Sequence, residues 1–541
     1  MLLLQLSLLA LWQGLTADAI SLSLAAAPVV DLGYELHQAT VSVTGSYYNF
    51  SNIRYGASTA GERRFSPPQP PSRPPSGRRP VNNGQSTVVC PGALPVWLDI
   101  AVMFAAGLDY THANTSTSPS DPRTNEDCLF LDLVVPKAVF DGKLGAPVLV
   151  WIHGGGFVSG HKSEQGNGAG LVTRSMEQGN AGIIYVAINY RLGLFGWLAG
   201  AAFEEESGTP NVGLLDQRLA LMWIQKYVHL FGGDPDHVTI MAESAGAGGA
   251  VLHIAAASAA RSAGFQQAIL QSPWLLPPSP MAQQDALYRD VLHLANATTL
   301  SQLRGASTAA LHAANSKIIA QAPYGTFGFG PTVDHSLVHG SPTSSSNATS
   351  SISLLVGHNS NEGILFTPPQ ALRSYSAFGP LLARVLPAAS STTLAFLASS
   401  LYRVSEHADP VHRYATAYAE ATVTCTARRL SPGQYAYVWS VPPGWHASDQ
   451  AYTFYNGGGQ LVGGDAALAT DMQRYFVNFV AGGNPAGGPL RVPTPIPVYD
   501  DANGAGELLN FSIADLSVVR DDGEVGERCR HWVALDEELW R

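Results

Sequence analysis

The sequence predicts an α/β chain in which strands alternate with helices, and three observations predict it. Two continuous apolar runs, Pro147 to Ile152 and Ile183 to Ile188, have the composition of strands buried on both faces. Between Leu215 and Leu230, spacings of three and four place Leu215, Leu219, Met222, Trp223, Tyr227 and Leu230 on one helical face. A third strand, Val238 to Met241, leads into the small-residue stretch Ala245 to Ala257, which reads as a helix. Further strands are expected at Ala268 to Leu270, Leu354 to Val356 and Tyr435 to Trp439.

In chain order, the first element is an address rather than part of the fold. Met1 to Trp12 is a short apolar core followed by the small triplet Ala17-Asp18-Ala19, the pattern of a secretory signal peptide over residues 1–19. No Lys or Arg precedes Arg54, and Ala25 to Ala27 offers a second cleavage point. No later stretch is long and apolar enough to span a bilayer, so a secreted product is expected. The four cysteines, Cys90, Cys128, Cys425 and Cys529, suit that compartment; they form no CxxC pair, which argues against zinc, and two disulfides in any of three pairings are open. Asn49, Asn114, Asn296, Asn347 and Asn510 begin glycosylation sequons. The Pro/Arg-rich segment Arg63 to Pro80 and the polar segment Ser341 to Ser353 read as surface loops.

Composition narrows the class. With 46% hydrophobic and 13% charged residues the chain is not largely disordered, and a formal charge of −11 with no basic clusters argues against nucleic acid. His335 and His339 stand four apart but lack the companions of a metal motif, so no metal is expected.

The chemistry begins at Ala242-Glu243-Ser244-Ala245-Gly246, which follows a strand and precedes a helix. That is the setting of a nucleophile elbow, with Ala242 where the G-x-S-x-G pattern has its first glycine. Alone, a serine there could merely cap a helix. The second motif decides. After the strand ending at Ile152 comes His153-Gly154-Gly155-Gly156-Phe157, whose glycines let backbone N–H groups face a developing oxyanion.

These motifs, with Glu126 to Leu131, Asn189 to Gly193, Asn211 to Gln217, Phe231 to Pro235, Gly357 to Gly363, Met472-Gln473 and Gly483 to Pro485 in the same order, resemble the cholinesterase/type-B carboxylesterase–lipase family, most closely its secreted fungal-type members. The resemblance implies an α/β-hydrolase fold: a large, mostly parallel central sheet with helices on both faces. It also implies that residues 20–541 form a single catalytic domain, although the length alone suggests three or four domains. It further implies a catalytic triad of Ser244, Glu362 and His446, with Asp449 a competitor for the acid, and Gly155, Gly156 and Ala245 as oxyanion donors. Ala447 stands where the family usually has Gly. The family's pairings join Cys90 to Cys128 and Cys425 to Cys529. The loop 91–127, with the apolar Pro95 to Phe104, is then either a mobile lid or a fixed rim. Trp97, Phe157 and Trp274 are expected in the substrate pocket. The expected activity is hydrolysis of an uncharged lipophilic small-molecule or lipid ester through an acyl-enzyme, with no cofactor. A non-catalytic binding relative and an acyltransferase on the same triad are the alternatives.

Overall fold

Side-chain alternation sets the layers. In a computed structural model that describes residues 27–42, 44–73, 77, 79–111, 121–256, 264–342, 352–457, 461, 464–501 and 506–540, the run from Ala146 to Ile152 is a strand. Val148, Val150 and Ile152 enter one apolar cluster, and Leu149 and Trp151 enter another. Both faces are therefore buried, which explains the unbroken apolar run. The signal-peptide expectation for residues 1–19 lies outside the described residues, as do the sequons at Asn114 and Asn347.

The strands in chain order are β1 (Val29–Asp31), β2 (Leu36–Gln38), β3 (Thr40–Val41), β4 (Tyr47–Arg54), β5 (Val81–Asn82), β6 (Phe130–Pro136), β7 (Ala146–Ile152), β8 (Ile184–Ile188), β9 (Gly233–Glu243), β10 (Gln267–Gln271), β11 (Ser353–Asn359), β12 (Tyr435–Trp439), β13 (Glu507–Phe511) and β14 (Leu516–Arg520). Eleven form one sheet in the order β14-β13-β12-β11-β10-β9-β7-β8-β6-β4-β3, and β1, β2 and β5 form a small second sheet. From β8 to β13 every pairing in the large sheet is parallel, and the antiparallel pairings lie toward its two edges. One face is covered by the helices Val212–Tyr227 and Ala245–Ala256, and the other by Ala466–Gly482. This is the α/β-hydrolase arrangement.

Two sequence expectations are corrected. The buried face of the helix Val212–Tyr227 carries Leu214, Gln217, Ala220, Leu221, Trp223 and Ile224. Met222 is 65% exposed, and Leu215, Leu219 and Tyr227 are only half-buried. The spacing rule found a real helix but centred its apolar stripe wrongly, because the polar Asp216 and Gln217 are buried; Asp216 pairs with Arg191 at 2.8 Å. The Arg63 to Pro80 loop is likewise not all surface. Phe65 is buried, and Arg64 is drawn inward by a 2.6 Å pair with Glu126. Two disulfides, Cys90–Cys128 and Cys425–Cys529, close the chain, each with Cα atoms 5.1 Å apart.

Candidate active site

β9 ends at Glu243, and the next helix starts at Ala245, so Ser244 is the single residue of the turn. Its φ is +53°, a left-handed conformation that non-glycine residues rarely adopt and that costs about 1–3 kcal/mol. The surroundings hold it there. The Ser244 N–H donates to the Gln271 carbonyl at 3.0 Å, and its own carbonyl accepts from Gly248 N–H at 2.9 Å and Trp274 N–H at 3.1 Å. The turn is also crowded. A Cβ on Gly246 would lie 2.3 Å from the Ile152 carbonyl oxygen, and one on Gly154 would lie 2.6 Å from the Glu243 carboxylate. The small-residue pattern of the elbow is therefore a packing requirement. Ala242 is fully buried there, so its methyl group is accommodated.

Two further loops at the ends of neighbouring parallel strands reach the same point. Glu362 follows β11, and its Oε1 accepts from Ser272 Oγ and from the Asn359 N–H, each at 2.6 Å. Its Oε2 lies 2.5 Å from His446 Nδ1, and His446 Nε2 lies 2.8 Å from Ser244 Oγ. The loop carrying His446 is tied back by Asn361 N–H donating to the Gly444 carbonyl at 2.8 Å. Ala447 takes a φ of +67°, a left-handed conformation that glycine adopts more readily than alanine. The structure thus brings Ser244, His446 and Glu362 into one hydrogen-bonded line. Asp449 stands apart from that line: its Oδ2 accepts from Gln271 Nε2 at 2.8 Å and from the Tyr437 hydroxyl at 3.0 Å.

Electrostatics favour a charged Glu362 and a basic imidazole. Burial opposes ionisation of Glu362, but the charge and hydrogen bond of His446 outweigh it and hold the carboxyl below its usual range. Burial likewise opposes the imidazolium, yet the Glu362 charge and hydrogen bond push His446 up to about 9. Glu243 lies 3.4 Å from His446 Nε2, and burial pushes its own carboxyl up to about 8. A general base must be neutral to accept the serine proton. Activity against a neutral ester is therefore expected to fall as pH drops through a midpoint above the ordinary imidazole value of 6.5. A kcat/KM–pH profile checks this, and a midpoint at or below that value contradicts it.

The glycine turn that follows β7 lies beside Ser244, where a Cβ on Gly154 would come within 2.9 Å of the Ser244 Cβ. Gly155 and Gly156 have φ of +98° and +62°. Their N–H groups and that of Ala245 make none of the backbone hydrogen bonds formed outside helices and strands among the described residues. A Cβ on Gly156 would meet the Phe327 ring at 2.3 Å, so only glycine fits there. His153, the first residue of the motif, is buried against Tyr190 with ring centroids 4.5 Å apart, and burial lowers it to about 3, so it stays neutral.

The expected pocket residues divide. Phe157 and Trp274 line a cavity of about 480 Å³, whereas Trp97 does not. Trp97 belongs to the helix Trp97–Ala105 and is buried, with its indole N–H donating to the Thr326 carbonyl at 2.9 Å. It packs on Phe327 and Phe366 at centroid distances of 5.3 and 6.1 Å, and Phe366 sits edge-on to His446 at 5.2 Å. Phe327 and Phe366 were not legible beforehand. Phe327 lies in Thr326-Phe327-Gly328-Phe329-Gly330, where aromatics between glycines were the available signal.

Residues 35–379 match the family model described as the carboxylesterase family. The chain is 38% identical to carboxylesterase patB of Aspergillus clavatus, over 93% of this chain and 95% of that protein. It is 40% identical to a secreted lipase of Arthroderma benhamiae over 39% of this chain and 41% of that one. The crystal structure of Aspergillus niger EstA superposes with a TM-score of 0.79 at 23% identity, covering 95% of this chain and 99% of that one.

Proposed function

As a member of the carboxylesterase family the chain is a carboxylic ester hydrolase, and we propose that it works through Ser244, His446 and Glu362 on uncharged lipophilic esters. The observation that carries this reading is the line of contacts from Ser244 Oγ to His446 Nε2 at 2.8 Å and from His446 Nδ1 to Glu362 at 2.5 Å. His446 takes the serine proton as Oγ attacks the ester carbonyl, then returns it to the departing alcohol. Glu362 fixes the tautomer and stabilises the imidazolium. The N–H groups of Gly155, Gly156 and Ala245 receive the tetrahedral oxyanion, where one donor is worth about 3–4 kcal/mol of barrier. Water then releases the acid from Ser244.

Aromatic walls support the lipophilic substrate class. Trp274 and Phe327 meet at 5.2 Å, and Phe157 and Trp197 at 4.6 Å. A profile of p-nitrophenyl esters of increasing acyl length tests it: rates rise with apolar length, and a preference for charged esters overturns the reading. The buried Trp97 favours a docked rim over a moving lid for the apolar segment Pro95 to Phe104. No jump in rate is then expected when a substrate passes its solubility limit.

The secretory reading rests on the leader pattern, the two disulfides and the similarity to a protein named as a secreted lipase. No helix among the described residues is long and apolar enough to cross a membrane. Residues 20–541 are read as one catalytic domain, since residues from His153 to His446 converge on one sheet end. Of the described sequons, Asn49 and Asn510 are half-buried in sheet strands, while Asn296 is exposed in a turn with φ +52°. Asn296 is therefore expected to carry a glycan in a eukaryotic secretory host. Asn296→Gln should remove one glycosidase-sensitive mass increment, and an unchanged mass contradicts this.

A further inference from the structure

The helix Pro410–Ala419 backs the site, and one of its side chains reaches three of the segments that build it. Asp409 caps its start, Pro410 stands in its first turn, and Val411, Tyr414, Ala415 and Tyr418 are buried at spacings of three and four. The acid loop rests directly on this helix: a Cβ on Gly363, the residue after Glu362, would lie 1.9 Å from the Ala415 carbonyl oxygen. Beyond Ala419 the helix widens into a single π-turn, Glu420–Thr424, a departure from α-geometry that is frequent at functional sites. The carbonyl of Thr422 in that turn accepts from the Leu275 N–H at 3.0 Å, so the turn also holds the loop that follows β10.

Tyr418 is fully buried at the centre of these contacts. Its hydroxyl donates to the Gly325 carbonyl at 2.6 Å and accepts from the Trp274 indole N–H at 3.2 Å. Its ring stacks on Phe366 at 4.8 Å, with the planes 13° apart. Each of these partners leads to the catalytic group. The Trp274 backbone N–H donates to the Ser244 carbonyl at 3.1 Å and so holds the strained elbow. Gly325, with a φ of +81°, opens the segment in which the Phe327 ring covers Gly156. Phe366 sits edge-on to His446 at 5.2 Å. A phenylalanine would keep the stacking, but only a hydroxyl both gives and takes a hydrogen bond, and so joins the Trp274 loop to the Gly325 segment. Without it, the Gly325 carbonyl and the Trp274 indole N–H lose their partner inside an aromatic cluster. Unmet buried polar groups are costly, so both loops shift until they are satisfied.

We infer that Tyr418 is a positioning residue for ester hydrolysis, whose hydroxyl sets the elbow of Ser244 and the wall over Gly156 in register with each other. Tyr418 does not line the 480 Å³ cavity, so it acts through Trp274, Phe327 and Phe366. The inference rests on the proposed triad chemistry and deepens it. Serine attack and oxyanion donation belong to the transition state, so loss of this register lowers kcat more than it raises KM.

The test compares Tyr418→Phe with Tyr402→Phe. Tyr402 is a matched control: it is fully buried, and its hydroxyl accepts from the Trp532 indole N–H and donates to Glu420, each at 2.7 Å. Each variant loses one bond from an indole and one to an oxygen, so both are expected to lower Tm. Values of kcat and KM for a short p-nitrophenyl ester are taken per active site, counted by fluorophosphonate labelling run to completion. Tyr418→Phe is expected to lower kcat about tenfold with KM within about threefold of wild type, because a 1 Å misplacement costs on the order of 10²-fold and the lost hydroxyl moves its neighbours by less. Tyr402→Phe is expected to keep kcat within about twofold, since its hydroxyl holds no loop of the site. Gly325→Ala approaches the same contact from the other side, because its Cβ would lie 3.0 Å from Tyr418 Cε2. The same kcat-weighted loss is expected there, and that variant decides the matter where Tyr418→Phe does not fold. An unchanged kcat in folded Tyr418→Phe, or in Gly325→Ala where it stands in, overturns the inference. So does an equal loss of kcat in Tyr402→Phe, which would make the effect a general loosening. Either result leaves the triad reading standing while wild-type protein hydrolyses the ester and is labelled on Ser244. Wild-type protein that does neither sinks both.

Discussion

Replacing Ser244 with alanine lowers kcat for a p-nitrophenyl ester by a factor on the order of 10⁴ to 10⁶, the range seen when a triad nucleophile is removed. The reason is chemical rather than structural. The variant loses the only atom of this residue that faces His446 Nε2, at 2.8 Å. The backbone bonds that shape the elbow, from Ser244 N–H to Gln271 and from Gly248 and Trp274 to the Ser244 carbonyl, involve no side-chain atom and remain. The fold is therefore expected to persist, with Tm close to wild type, while turnover falls to what the oxyanion donors and binding alone supply. Ester hydrolysis near the wild-type rate by the folded variant would remove Ser244 from the mechanism.

Glu362→Gln is the second large effect, with kcat expected to fall about 10⁴-fold, as when a triad acid becomes its amide and the wrong imidazole tautomer is held. The substitution also removes the negative charge that outweighs burial at His446, so the acid limb of any residual activity should move to lower pH. Asp449→Asn supplies the contrast. Asp449 is fully buried and accepts from Gln271 and Tyr437, so its loss disturbs the packing of β10 and β12 ends more than the proton path. Its expected signature is a lowered Tm with a far smaller loss of kcat than Glu362→Gln. The reverse ranking, with both variants folded, would make Asp449 the acid.

Those two carboxylates illustrate what the sequence carried and what it withheld. Strands such as Ala146–Ile152 were legible because burial on both faces demands an unbroken apolar run. The elbow and the glycine turn were legible because close approach of neighbouring atoms excludes side chains at Gly154, Gly156 and Gly246. The helix Val212–Tyr227 was legible as an element but not in its orientation, since Asp216 and Gln217 are buried by partners distant in sequence. The Gly357 to Gly363 resemblance favoured Glu362 as the acid and left Asp449 as a competitor. What distinguishes them is that Glu362 faces His446 while Asp449 faces Gln271 and Tyr437. The cavity was only partly legible: Phe157 and Trp274 were expected to line it and do, whereas Phe327 joins them only in the folded chain and Trp97 is not among its lining residues.

The most direct test of the central claim, that Ser244 is a nucleophile activated by His446 and Glu362, is covalent labelling of the folded protein with a fluorophosphonate, followed by intact mass and peptide mapping. One adduct per chain, on Ser244, is the expected result, with labelling lost in Ser244→Ala and strongly slowed in His446→Ala. Absence of an adduct on the folded wild-type chain, or an adduct on a different residue, contradicts the account.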